Sequence, residues 1–159
     1  MNSLRHSRGY ELADHRQAKL RGWQMMCEAG FDLVVCECRN ADVVGICRIG
    51  GQLHVVTVEF ERTCRNVISN IRRNLAHGSD CVLEVCMVSS IEKPVQRLVQ
   101  KDLTGEEQKK VLVVGMDELT VDLLWVMSGK RGVNSESIPV DSRVDSTGTG
   151  VDSGLFPRI

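Results

Sequence analysis

Three β-type runs joined by very short turns constrain this chain more than any other feature of its sequence. They are residues 32–39 (DLVVCECR), 42–49 (DVVGICRI) and 53–61 (LHVVTVEFE). Asn40 marks the first turn and Gly50-Gly51 the second, and such residues are typical of tight hairpins. Connections this short can join only antiparallel neighbours. The sequence therefore predicts an antiparallel three-stranded meander.

Hydrophobic periodicity predicts the remaining elements. Helices are expected over residues 10–29, 63–77, 91–103 and 117–127, and further strands over residues 80–88 and 110–115. The strand–helix–strand unit that follows Glu61 predicts a parallel pair, because a crossover helix returns the chain in the same direction. The fold class is therefore α/β, with a mixed central β-sheet flanked by helices on both faces.

Three local details of these helices can be checked. Thr63 and Asp117 are the expected N-caps of the second and fourth helices, and Pro94 is expected in the first turn of the third. The first helix is expected to bury one face, whose members recur every three or four residues. These are Ala13, Arg16, Leu20, Trp23 and Cys27.

Composition divides the chain into two parts. Residues 1–130 are expected to form one domain, and residues 131–159 a disordered C-terminal tail. The tail is rich in Ser, Asp, Gly and Thr, and it has too little apolar surface to offset the entropy of ordering the chain. Leu155-Phe156 near its end suggests a docking peptide for a partner, although terminal segments are more often simply disordered.

The cysteines indicate the compartment. The chain has seven cysteines, and most lie in apolar strand-like runs, where thiols behave as small apolar residues. We expect a reducing, cytoplasmic environment. No apolar run approaches the length of a membrane span. A zinc site at the Cys36-x-Cys38 pair is the alternative, but structural zinc sites normally have two such pairs.

Three carboxylates are the strongest functional candidates. Asp42 opens the second strand, and Glu59 and Glu61 close the third. Residues two apart in a strand project from the same face, and the Gly50-Gly51 hairpin brings Asp42 beside them. Such carboxylates repel one another unless a cation lies between them. Ligation by oxygen alone favours Mg²⁺ or Mn²⁺.

The order helix–strand–Asp–strand–Glu-x-Glu–helix–strand resembles the PD-(D/E)XK nuclease superfamily, which has the restriction-endonuclease-like fold. Gly30-Phe31 and residues 42–45 (DVVG) are similar to the Holliday-junction-resolvase branch. The resemblance covers roughly residues 9–88. It implies a DNA endonuclease in which Asp42 and Glu59 hold Mg²⁺ or Mn²⁺, and in which Glu11 is the acidic residue of the N-terminal helix.

The chain departs from this pattern at Glu61, which stands where the superfamily usually has lysine. Some restriction enzymes of the superfamily carry glutamate there, so activity is compatible with the change. The resemblance then implies metal-assisted hydrolysis of phosphodiester bonds, with Glu61 orienting or deprotonating the water. Arg62 or a metal-bound water would supply what the lysine supplies.

Basic residues cluster on either side of these acids, although the net charge is −1. A basic helix face beside a metal site suits phosphate contacts, so DNA is the expected partner. A solvated helix face is the plain alternative. The candidate nucleic-acid contacts are Arg8, Arg16, Arg62, Arg65, Asn66, Arg72 and Arg73.

Two further hypotheses compete with the nuclease. One is a catalytically inactive module that keeps the nuclease fold and binds nucleic acid. The other is a structural interaction protein in which Glu59 and Glu61 pair with Arg39, Arg62 or Arg65. If the chain does cut duplex DNA, a homodimer is expected, because two strands require two sites and dimers are the commonest oligomer.

Overall fold

The predicted meander is present and forms one side of a five-stranded mixed sheet. The computed structural model describes residues 12–129. The strands are β1 (Leu33–Cys38), β2 (Ala41–Ile49), β3 (Gln52–Glu61), β4 (Cys81–Cys86) and β5 (Val111–Gly115). They are ordered β1-β2-β3-β4-β5 across the sheet. The first three are antiparallel neighbours, and β4 pairs in parallel with both β3 and β5. The α/β class and the mixed sheet are therefore confirmed.

Helices cover both faces of the sheet, as expected. The helices are α1 (Ala13–Glu28), α2 (Val67–Ala76), α3 (Ser89–Asp102), α4 (Gly105–Gln108) and α5 (Val121–Met127). One face of the sheet packs on α1 and α5, and its buried cluster includes Met26, Val58 and Leu124. The other face packs on α2 and α3, around Val67 and Ile71.

Both hairpin turns use left-handed backbone. Arg39 and Asn40 have φ values of 53° and 65°, and Gly50 and Gly51 have 58° and 85°. Two successive residues with positive φ define the type I′ turn, whose twist matches that of the flanking strands. These turns fix the register that places Val43 opposite Val58, and hence the start of β2 beside the end of β3.

Two helices begin later than predicted. Asn66 precedes the first residue of α2, whereas Thr63 accepts only a local hydrogen bond from the Arg65 amide at 3.4 Å. The last helix is capped by Thr120, whose hydroxyl accepts from the Leu123 amide, and not by Asp117. Ser, Thr and Asp all favour caps and turns alike, so their presence alone does not select the residue at which a helix begins.

The third helix begins earlier than predicted, and the structure contains one additional short helix that was not predicted. α3 begins at Ser89, so Pro94 lies inside the helix and beyond its first turn. The short helix α4 follows Thr104, which forms a capping box with Glu107. A Thr-x-x-Glu pattern indicates the start of a helix, so this helix could have been predicted from the sequence.

The face that α1 buries is not the predicted one. Leu20 and Trp23 are 46% and 39% exposed; the buried positions are instead Ala18, Lys19, Gly22 and Met26. The prediction was wrong because the helix approaches the sheet closely: a Cβ at position 22 would lie 2.7 Å from the Phe60 ring. Small residues permit this approach, and hydrophobicity alone did not identify them.

Several predictions concern residues outside the described range. They are the disordered tail over residues 131–159, the Leu155-Phe156 docking peptide, and the candidate site residues Arg8 and Glu11. Within residues 12–129, every helix is too short or too polar to span a membrane.

Candidate active site

Asp42 is tied directly to the end of β3. Its Oδ2 atom accepts a hydrogen bond from the Phe60 amide at 2.9 Å. Phe60 lies between Glu59 and Glu61, so this bond holds Asp42 beside both glutamates. Asp42 therefore lies at the same end of the sheet as Glu59 and Glu61, close enough for its charge to help raise the pKa values of both.

Helix α1 supplies two more partners for Asp42. A hydrogen bond of 3.1 Å joins His15 Nε2 to Asp42 Oδ2, and Lys19 Nζ lies 4.0 Å from Asp42 Oδ1. Lys19 is only 7% exposed and donates to Glu37 Oε1 at 2.7 Å. His15 and Lys19 are four residues apart and share one helix face, which explains how α1 presents a charged edge to β2.

Helix α2 contacts the two glutamates through a ladder of side chains. Asn74 Nδ2 donates to Glu59 Oε1 at 2.5 Å, and Asn70 Nδ2 donates to Glu61 Oε1 at 2.8 Å. Arg73 Nη2 lies 3.2 Å from the same Glu59 oxygen. Because residues three and four apart share a helix face, Asn70, Arg73 and Asn74 meet the carboxylates together.

A fourth acid, Glu84, lies in the same cluster and was missed in the sequence. It is the register partner of Glu59 on β4, and side chains of paired strand residues share a face. Its residue exposure is 0%, and neither carboxyl oxygen has a hydrogen-bond partner among the described residues. A single acid within the apolar run CVLEVC was the available signal, since buried charges need partners.

Burial and mutual repulsion raise the pKa values of three of these acids. The pKa of Glu59 rises to about 7, mainly through burial and further through the charges of Asp42 and Glu61. Burial also raises the pKa of Glu61. The pKa of Glu84 lies well above its ordinary range, through burial and the charges of Glu61, Glu59 and Asp42. Carboxyl groups with pKa values raised in this way cluster at functional sites.

The candidate nucleic-acid contacts are divided among several roles. Arg73 faces the carboxylates, and Arg72 is bound to Glu107 and to the Asp102 carbonyl. Arg62 pairs with Asp14. Arg16, Arg65 and Asn66 are exposed. The face of α2 that carries Asn70 and Asn74 therefore points to the glutamates and not to solvent.

The arginine that pairs with Glu59 is not one of those expected for a purely structural cluster. Glu59 pairs with Arg73, whereas Arg62 pairs with Asp14 and Arg39 donates to the His77 carbonyl at 3.1 Å. Glu59 is thus paired from α2 by Arg73, a residue that the sequence had assigned to phosphate contacts.

The carboxylate oxygens of this cluster are the type of ligand that hard divalent cations such as Mg²⁺ prefer. As they stand, no three His, Cys, Asp or Glu side chains within residues 12–129 are arranged to hold a metal ion together. Glu59 is already engaged within the protein, because Arg73 and Asn74 both contact its Oε1 atom. A pocket of about 290 Å³, lined partly by Lys19, Glu37 and Asp42, opens beside the cluster.

Comparison with known proteins gives no assignment. No protein-family model matches this chain, and no curated protein or solved structure is detectably similar to it. Its function must therefore be argued from the carboxylate cluster itself.

Proposed function

We propose that this chain is a metal-dependent endonuclease of the PD-(D/E)XK type that hydrolyses phosphodiester bonds in DNA. The observation that carries the proposal is the bond from the Phe60 amide to Asp42, which gathers Asp42, Glu59 and Glu61 into one electrostatically coupled cluster. Three acids held together at this cost in repulsion favour a cation-binding role.

The order of elements supports the same proposal. An N-terminal helix, three antiparallel strands, a crossover helix and a strand parallel to β3 follow one another along the chain. This is the order on which the resemblance to the PD-(D/E)XK superfamily rests. The pocket lined by Lys19 and Asp42 gives a phosphodiester access to Asp42.

In this proposal Asp42 and Glu59 would hold Mg²⁺ or Mn²⁺, and the ion would supply Lewis-acid chemistry. The Phe60 amide fixes the orientation of Asp42, and Glu61 orients or deprotonates the attacking water. Asn70 holds the Glu61 carboxyl in place. We assign to Lys19 the role of the positively charged side chain beside the phosphate. Arg62 forms an ion pair with Asp14, whereas Lys19 lies next to Asp42.

A binding module without activity is the second candidate, and a specific observation favours it. The Glu59 side chain is only 5% exposed, and one of its oxygens is already engaged by Arg73 and Asn74. In a module of this kind the cluster would hold α2 against the sheet, and exposed bases such as Arg16 and Arg65 would contact phosphates.

A cleavage assay separates these candidates. Duplex, branched and single-stranded DNA are incubated with wild type, Asp42→Asn and the exposed control Asp122→Asn, with Mg²⁺ or Mn²⁺. We expect the Asp42 variant to lose on the order of a hundredfold or more of the rate, since Lewis-acid stabilisation is worth several kcal/mol, while the control retains activity.

The other outcomes are equally informative. Salt-sensitive DNA binding without cleavage by the wild type would support the binding module. Neither binding nor cleavage would leave a structural role for the carboxylates. The expected homodimer can be measured alongside by sedimentation of the full chain.

A further inference from the structure

Two side chains in the cluster carry buried polar atoms that have no hydrogen-bond partner among the described residues. These atoms are the two carboxyl oxygens of Glu84 and the Nε atom of Arg73. A buried carboxyl group without a hydrogen-bond partner destabilises the folded state. Such a group in a folded protein requires an explanation.

The position of Glu84 argues against an isolated packing defect. It lies opposite Glu59 in the register of β3 and β4. The negative charges of Glu61, Glu59 and Asp42 raise the pKa of Glu84, whereas the positive charge of Arg73 lowers it. Its carboxyl group therefore lies inside the same acidic cluster, on its deep side. A purely structural core would be served better by an apolar residue at this position.

Arg73 is held in the cluster by contacts that a metal ion could replace. Its Nη2 atom donates to Glu59 Oε1 at 3.2 Å and to the Asn40 carbonyl at 2.9 Å. Its Nη1 atom donates to Asn70 Oδ1 at 2.9 Å. The guanidinium thus places one positive charge beside Glu59, where it also acts on Glu61 and Glu84. A bound cation would supply positive charge to the same acids.

We propose that Glu84 is a further ligand of the divalent cation at this site, and that the Arg73 guanidinium occupies the cation's position until the two exchange. The inference rests on the proposed function, since it concerns the same carboxylate cluster. It adds a deep ligand from β4 to Asp42 and Glu59. It agrees with the finding that, with Arg73 bound to Glu59, no three His, Cys, Asp or Glu side chains within residues 12–129 are arranged to hold a metal ion.

Mn²⁺ binding measured by electron paramagnetic resonance of the free ion tests this proposal without nucleic acid. The variants are Glu84→Gln and Arg73→Gln, both in the full chain. Glutamine at position 84 keeps the shape of the side chain and removes a ligand oxygen. The matched controls are Arg72→Gln, which removes the neighbouring charge on the same helix, and the exposed Glu106→Gln.

We expect Glu84→Gln to weaken Mn²⁺ binding at least tenfold and Arg73→Gln to tighten it severalfold. Both controls should stay within about twofold of the wild type, because exposed charges are screened by water and salt. Circular dichroism and melting temperature establish that each variant is folded. A folded Glu84→Gln protein that binds Mn²⁺ as the wild type does would overturn the proposal, as would weaker binding by folded Arg73→Gln.

The proposed function stands or falls separately. A wild type that cleaves DNA, together with unchanged Mn²⁺ binding in both variants, would overturn the role of Glu84 and Arg73 and leave the nuclease intact. A wild type that binds no Mn²⁺ in the absence of DNA would overturn the exchange, and the cleavage assay would then decide the proposed function alone.

Discussion

The Glu59 carboxyl group holds its proton more tightly in the folded chain than it would in the unfolded chain. Its pKa rises from 4.5 to about 7 because the group is buried beside other acids. The folded state therefore binds more protons than the unfolded state between these two values, and stability falls as the pH rises through this window. Glu61 and Glu84 shift in the same direction.

We therefore predict that the protein is more stable at pH 5.5 than at pH 8. The contribution of Glu59 to the free energy of unfolding is on the order of 2 kcal/mol across this interval. Urea denaturation of the wild type and Glu59→Gln at both pH values measures it. The variant should depend less on pH, and a wild type that is equally stable or less stable at pH 5.5 would contradict this assignment.

At the scale of residues, the sequence located part of the site. Strand periodicity and the hairpin turn were sufficient to bring Asp42, Glu59 and Glu61 together. The same reasoning did not reach Glu84, because its register with Glu59 depends on a parallel crossover that no short turn fixes. The roles of Asn70 and Asn74 were also missed, since a polar helix face can meet either solvent or a buried acid.

Close packing of α1 on the sheet positions the charged edge of the site. Gly22 faces the Phe60 ring, and Phe60 is the residue whose amide holds Asp42. The same helix carries His15 and Lys19 to Asp42. A change that pushes α1 away from β3 should therefore affect both stability and the site.

Gly22→Ala should destabilise the fold by about 1–3 kcal/mol, because the added methyl group overpacks against Phe60. This loss should exceed the gain of up to about 1 kcal/mol that alanine brings to a helix interior. Gly105→Ala is the control, since no atom lies within 4 Å of a Cβ built there. Urea midpoints compare the two, and an equal or increased stability for Gly22→Ala would refute the close approach.

Elements were predicted well where turns or long strands defined them, and less well at helix ends. The meander followed from Gly50-Gly51 and from the β-branched residues of β3. The starts of α2 and α5 were each placed four residues early, at Thr63 and Asp117, because capping residues also form local turns. The buried face of α1 was wrong since tertiary packing selected its small residues.

At the scale of the whole molecule, one sheet separates two hydrophobic clusters. The first lies beneath α1 and α5, and the second beneath α2 and α3. Strand β4 contributes side chains to both clusters, Leu83 and Val85 to the first and Val82 and Cys86 to the second, so neither face can unfold without exposing the other. This arrangement favours a single cooperative transition.

We predict that Trp fluorescence and far-ultraviolet circular dichroism give the same urea midpoint. Trp23 reports on the first face, where its indole donates to the Val34 carbonyl at 3.2 Å. Val95 is fully buried in the second cluster, so Val95→Ala leaves a cavity and should lower the free energy of unfolding by roughly 2 kcal/mol or more. Both probes should report the same decrease in urea midpoint. Separate transitions for the two probes would show that the faces unfold independently.

The central claim is that the carboxylates at the end of β3 form a divalent-cation site. Isothermal titration of Mn²⁺ into the wild type, Asp42→Ala, Glu59→Ala and the exposed control Asp122→Ala tests it most directly. The account predicts binding by the wild type and the control, and its loss in both site variants while their circular dichroism remains native. Unchanged Mn²⁺ binding in folded Asp42→Ala and Glu59→Ala would contradict it.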